Sequence, residues 1–324
     1  MIRAAITALY LCSLPGNSCW AIDLSFMTDA FDDQYVGCTR HMEREMPNIL
    51  DHEKKYKQFA IMWLLAEQTW TRIKPYSIFP RDFKDEYGIA VILYTMEEPF
   101  PIYQQLNRNV SIAGRSRDHY MNRFHFKALH YYLTRAIQVL GGGTGCDERS
   151  QVYRGSWMTY RDVTPDVRFG HFASSSLNWK IAQRFGTRTQ FTIFSCFGVD
   201  IEIFSDFKEE EVLIPITEKF TAIKRSDSSY VLRSSGQHCS YYNCAYLGGE
   251  KRKDPICSAG AESIKYKHGK FGVKHVAVGT VTLQEAIPDP SDNKDKPRTN
   301  PPGYPESSVY SAETTKTVGT RPSS

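Results

Sequence analysis

No run of apolar residues reaches the roughly 18 needed to cross a bilayer, so no transmembrane helix is expected. Charge of one sign is also lacking. Lysine and arginine number 40 against 36 aspartate and glutamate, a formal net charge of +4. The basic residues are scattered rather than gathered in a stripe, so nothing in the charge calls for nucleic acid. No Walker motif and no G-x-S-x-G elbow occurs. Gly141-Gly142-Gly143-Thr144-Gly145 departs from G-x-G-x-x-G, because the sixth position is Cys146. It also follows a helical stretch, whereas the dinucleotide fingerprint follows a strand, so it reads as a helix-ending loop. Internal repeats are absent.

Cysteine is present but not in a metal-binding pattern. Cys239 and Cys244 are widely spaced, and His238 beside them has no nearby second histidine, which disfavours zinc. Cys12 and Cys19 fall in an N-terminal segment with Arg3, an apolar run from Ala4 to Leu14, the breakers Pro15 and Gly16, and small residues at Cys19 and Ala21. This segment reads as a signal peptide over residues 1–21, the alternative being a buried N-terminal helix. The other six cysteines, Cys38, Cys146, Cys196, Cys239, Cys244 and Cys257, make an even count that suits disulfides in an exported chain and allows 15 pairings. Asn109-Val110-Ser111 is the single N-glycosylation acceptor.

Hydrophobic residues make up 41% and aromatics 13% of the chain, enough for a sizeable core. From residue 286 to 324 the composition changes: seven of the 16 prolines lie there among Ser, Thr, Asp and Lys. Such a segment cannot bury enough apolar surface to offset its ordering entropy, and a disordered tail is expected. Residues 22–285 read as one domain. Tyr56, Phe59, Trp63 and Trp70 recur at helical spacing, predicting a helix over 51–70 capped by Asp51. Tyr120, Phe124, Tyr131 and Ile137 predict one long helix over 116–140 that ends at the glycine run. After Cys146 come short β-type runs at 152–154, 169–174, 190–197, 199–204, 212–216, 220–224, 230–233 and 274–281. Helices first and strands afterwards predict an α+β fold.

Three polar clusters could carry chemistry. If the strand at 212–216 reaches back to Glu209, its period of two puts Glu209 and Glu211 on one face and Glu210 on the other. Paired carboxylates suit a reaction that develops positive charge, such as breaking a glycosidic bond; a solvated acidic loop is the bland alternative. A glycosidase would need its two carboxyl groups on opposed sides of the bond, which one strand edge does not supply. Tyr153-Arg154-Gly155 places a fixed cation next to a residue that permits close backbone approach. Ser174-Ser175-Ser176 ends another strand in hydroxyls.

In this order, Arg154, Ser174-Ser175-Ser176 and Glu209-Glu210-Glu211 resemble the R…S-x-S…E-x-E constellation of the vertebrate ecto-mono-ADP-ribosyltransferases, the arginine-specific R-S-E family. The segments from Tyr87-Gly88-Ile89-Ala90 to Tyr94-Thr95, from Phe126 to Thr134, and from Glu210 to Pro215 resemble the family as well. The resemblance spans roughly residues 22–285. It implies two packed β-sheets forming an NAD cleft, and transfer of ADP-ribose from NAD⁺, as co-substrate, to arginine side chains of protein acceptors. It implies Glu211 as the catalytic carboxylate and Glu209 with Phe207 on the acceptor side. Arg154 would anchor a phosphate or ribose, Gly155 the carboxamide, Ser174 the geometry of Arg154 and Glu211, and Ser176 the strand end, with Arg184 and Phe185 in the NAD-proximal loop. It further implies disulfides Cys38–Cys244, Cys146–Cys196 and Cys239–Cys257. A monomer with no resident metal or cofactor is expected. Many family members carry an apolar C-terminal tail that is exchanged for a GPI anchor. Here the run from Val318 to Ser324 is polar, so a secreted or lumenal form is the expectation. An NAD⁺ glycohydrolase and an inactive secreted binding protein are the alternatives.

Overall fold

The computed structural model describes residues 21–141 and 151–259. The expected leader up to residue 20, the glycine run beyond Gly141, Cys146, the strand at 274–281 and the C-terminal tail lie outside the described residues. A short strand, β1 (Ala21–Leu24), precedes six helices: α1 (Thr39–Glu53), α2 (Lys57–Ile73), α3 (Asp85–Thr95), α4 (Ile102–Ala113), α5 (Arg117–Arg123) and α6 (Lys127–Leu140). Strands follow: β2 (Gln151–Ser156), β3 (Thr159–Val163), β4 (Asp166–Val167) and β5 (Ala173–Ser176). After a one-turn helix, α7 (Trp179–Ala182), come β6 (Thr189–Phe194), β7 (Val199–Asp200), β8 (Glu211–Ile214), β9 (Glu218–Ser226), β10 (Ser229–Ser240) and β11 (Ile256–Ala259). The fold is α+β, with a helical first half and a strand-rich second half.

The expected helix over 51–70 is two helices. Asp51 lies in the last turn of α1, not at a cap, and the chain turns at residues 54–56 before α2. Met42, Met46 and Leu50 form the buried stripe of α1 at i, i+4, i+8. The long helix expected over 116–140 is also broken. Ser116 caps α5 by accepting from the His119 N–H, and the chain is extended at Phe124. A new helix then starts where the Glu53 carboxylate, reaching over from α1, accepts from the Ala128 N–H at 2.9 Å. A tertiary cap interrupts a pattern that is continuous in the sequence. Gly141 does end α6.

The strands form a two-stranded sheet, β1–β3, and a nine-stranded one in the order β4-β9-β10-β6-β2-β5-β8-β7, with β11 on β10. The β2–β5 junction is a single pair, Tyr153 opposite Ser176. Pairing between β2 and β5 is thus far sparser than the six pairs between β2 and β6. In β6 burial alternates along Thr189–Phe194, as the period of two requires. The run expected as a strand at 199–204 is strand for only two residues and then a 3₁₀ turn at Glu202–Phe204.

Two contacts tie the first described segment to the late strands. Arg168, fully buried, donates to Asp32 Oδ2 at 2.7 Å and to the carbonyls of Phe26 and Cys239. Asp32 also accepts from the Tyr241 and Tyr242 N–H groups. Disulfides join Cys38 to Cys244 and Cys239 to Cys257, and the second pair sits directly cross-strand between β10 and β11. Cys196 is disulfide-bonded as well.

Candidate active site

A cleft of about 580 Å³, within the range of small-molecule sites, is lined by residues of β2, β5 and α4. Arg154 and Gly155 of β2, Ser174 and Ser176 of β5, and Phe185, Phe207, Glu209 and Glu211 all line it. Arg184 is exposed and is not among the lining residues; it acts on Glu209 only as a nearby positive charge.

Glu209 and Glu211 share the cleft for a reason the strand period does not give. β8 begins at Glu211, so the strand does not reach back to Glu209. Instead Glu210 adopts a left-handed conformation, φ 48°, and the chain turns tightly. Residues 176–178 clamp that turn. Ser176 Oγ donates to the Glu209 carbonyl at 2.7 Å, and the Leu177 N–H donates to the Glu210 carbonyl at 3.0 Å. Asn178 Nδ2 donates to Glu210 Oε1 at 2.9 Å, which turns that carboxylate away from its neighbours.

The Glu211 carboxyl is 7% exposed. Burial raises its pKa, while the nearby Ser174 hydroxyl and the Arg154 charge favour the ionised form. Glu209 is half-buried. Burial first, then the charges of Glu211 and Glu97, push its carboxyl up to about 7. Arg154 donates through Nη1 to the Ser174 carbonyl, and its guanidinium lies 5.8 Å from the Phe169 ring centre. Arg154, Ser174 and Glu211, from β2, β5 and β8, line the same cleft. The missing side chain of Gly155 is needed for packing: a Cβ there would come within 2.3 Å of the Ala182 and Gly186 carbonyl oxygens.

Several lining residues were given no role at the site by the sequence motifs. The Tyr94 hydroxyl, at the end of α3, donates to the Phe172 carbonyl at 2.9 Å. It accepts from Asn107 Nδ2 at 3.0 Å. His171 also lines the cleft; burial and the Arg154 charge lower its pKa to about 3, so it is neutral. Glu97 and Tyr103 complete the acidic end. The one available signal for them was helical: Tyr103, Asn107 and Ser111 are spaced i, i+4, i+8.

The fold and the cleft are those of an ADP-ribosyltransferase. Over 69% of this chain and 99% of the other, the structure resembles a mutant of the eukaryotic mono-ADP-ribosyltransferase ART2.2 crystallised with NAD, with a TM-score of 0.62 and 36% identity. The rat ecto-ADP-ribosyltransferase 5 is 41% identical over 248 residues, 73% of this chain and 80% of that protein. The human GPI-linked NAD(P)(+)--arginine ADP-ribosyltransferase 1 is 38% identical over 257 residues, 73% of this chain and 78% of its own length. The family model for NAD:arginine ADP-ribosyltransferase matches residues 24–240. The chain belongs to that family.

Proposed function

We propose that this enzyme transfers ADP-ribose from NAD⁺ to arginine side chains, with Glu211 acting at the glycosidic bond and Glu209 at the acceptor. The observation that carries the reading is the pair of carboxylates on one cleft wall, one buried against Ser174 and Arg154 and the other half-exposed beside Phe207. The nicotinamide–C1′ bond breaks with its electron pair leaving on nicotinamide, and positive charge develops on the ribose. A fixed carboxylate in a partly dry site stabilises that charge by several kcal/mol, on the order of an oxyanion hole with reversed sign. Glu211 is that carboxylate. Ser174 fixes its position, and Arg154 anchors the anionic part of the dinucleotide. The guanidinium nitrogen then attacks C1′ and must lose a proton. Glu209 can hold a guanidinium through two hydrogen bonds, and a carboxyl titrating near 7 can accept that proton.

The catalytic domain spans 22–285 in this reading. The protein works outside the cell or in the secretory lumen, which suits its disulfides and Asn109 as a glycan acceptor. Among the described residues no helix is long and apolar enough to cross a membrane. Labelled NAD⁺ with agmatine as a minimal guanidinium acceptor tests the chemistry. Glu211→Gln should abolish transfer and NAD⁺ hydrolysis together; Glu209→Gln should abolish transfer and spare hydrolysis. Hydrolysis without transfer by the wild type would make the enzyme an NAD⁺ glycohydrolase. Folded protein that binds NAD⁺ and turns over nothing would make it a binding protein.

A further inference from the structure

Charge is distributed unevenly along the cleft. α4 runs along one wall and lines it with Tyr103, Gln104, Asn107, Arg108 and Ser111. At its N-terminal end the Tyr103 hydroxyl senses the carboxylates of Glu97, Glu209 and Glu211. With a helical rise of about 1.5 Å per residue, Arg108 stands roughly 7.5 Å along α4 from Tyr103. Tyr160, on another part of the lining, senses Arg154 instead of those carboxylates.

Three carboxylates line the cleft, Glu97, Glu209 and Glu211, against two cations, Arg154 and Arg108. The diphosphate of a dinucleotide carries two negative charges. One arginine offsets only one of those two charges. Arg154 is moreover partly committed, through Nη1, to the Ser174 carbonyl. Arg108 donates only its Nε, to the Gln104 carbonyl at 3.2 Å, and its terminal nitrogens make no ion pair among the described residues. Next to it, the buried Asn107 Oδ1 has no hydrogen-bond partner, an acceptor that suits a sugar hydroxyl.

We infer that Arg108, presented to the cleft by α4, is its second phosphate-binding cation. The inference rests on the cleft being the NAD⁺ site. The phosphate it meets belongs either to the diphosphate bridge, shared by NAD⁺ and NADP⁺, or to the 2′-phosphate of NADP⁺.

The test is titration calorimetry on chains that also carry Glu211→Gln, so that no turnover occurs. Arg108→Ala leaves an exposed helical site with a strong helix former, so folding is preserved. Arg108→Ala should weaken NAD⁺ or NADP⁺ binding about tenfold, as expected for a lost charged hydrogen bond. Arg108→Lys should restore most of it, and nicotinamide riboside, which has no phosphate, should bind unchanged. Equal loss for both dinucleotides assigns the diphosphate; loss confined to NADP⁺ assigns the 2′-phosphate. Unchanged binding of both, or an equal loss for the riboside, overturns the inference while leaving the NAD⁺ site intact. If the parent chain with Arg108 binds no dinucleotide, the inference and the reading of the cleft fall together.

Discussion

Glu209 and Glu211 are two residues apart and bear the same group, yet their surroundings separate their roles. Glu211 is buried near Ser174 and the Arg154 charge, whereas Glu209 is half-buried with two like-charged neighbours and titrates at about 7. If Glu209 must be ionised to hold and deprotonate the acceptor, transfer to agmatine should rise with pH relative to NAD⁺ hydrolysis. The ratio matters because ionisation of Glu211 affects both reactions and cancels from it. Between pH 5 and 8.5 the ratio should climb with a midpoint near 7, and in Glu209→Gln the climb should vanish. A flat ratio in the wild type would remove Glu209 from proton transfer. The identities of Arg154, Ser174, Glu209 and Glu211 were legible in the sequence because their motifs are local. The part played by Asn107 was not, since it reaches the cleft through Tyr94 and the Phe172 carbonyl, on elements far apart in the chain.

At the scale of elements, the turn at 209–211 and the start of α6 were both misread for one physical cause: a distant side chain decides a local conformation. The strand period suggested a continuous β8, but Ser176 and Asn178 hold a left-handed Glu210 instead. Ser176→Ala should therefore loosen Glu209 more than Glu211, which β8 pairing with β5 retains. Transfer should fall about tenfold with hydrolysis reduced less than threefold, on the scale of one hydrogen bond; equal losses would show that the clamp serves the whole strand. α3 was missed because it is buried from Tyr87 to Tyr94, which leaves no amphipathic period to read. Glu53 caps α6 from a buried position, and desolvation raises its carboxyl to about 8. The sign follows directly. The folded state favours the protonated form, so the stability Glu53 contributes is present below its ordinary value of 4.5 and lost as pH rises through about 8. Urea unfolding should show stability declining over that window, by up to a few kcal/mol from this group. Glu53→Gln, neutral throughout, should flatten the decline; an unchanged slope would assign it to other groups such as Glu218.

For the whole molecule, the cleft depends on how the first described segment is fastened to the late strands. Composition and periodicity gave the two halves, but not this fastening. Arg168 lies 136 residues from Asp32, and nothing in the pattern around either one marks a buried ion pair. Two anchors hold residues 32–38: the Asp32–Arg168 pair, which also bonds the Cys239 carbonyl and the Tyr241 and Tyr242 N–H groups, and the Cys38–Cys244 disulfide, which spans 206 residues. Arg168→Met should destabilise by about 3–5 kcal/mol, because it strands the Asp32 carboxylate without its counter-charge. Removing the disulfide by Cys38→Ser with Cys244→Ser should cost about 2–4 kcal/mol. Because Asp33 also accepts from the Tyr35, Cys244 and Ala245 N–H groups, residues 32–38 and 239–245 form one latch rather than two independent contacts. Once either anchor is cut the latch can lift locally, so the second cut should cost less than it does alone. In a double-mutant cycle followed by denaturant unfolding, the combined loss should fall short of additivity by at least about 1 kcal/mol. Additivity within about 0.5 kcal/mol would mean that the ion pair and the disulfide stabilise the fold separately.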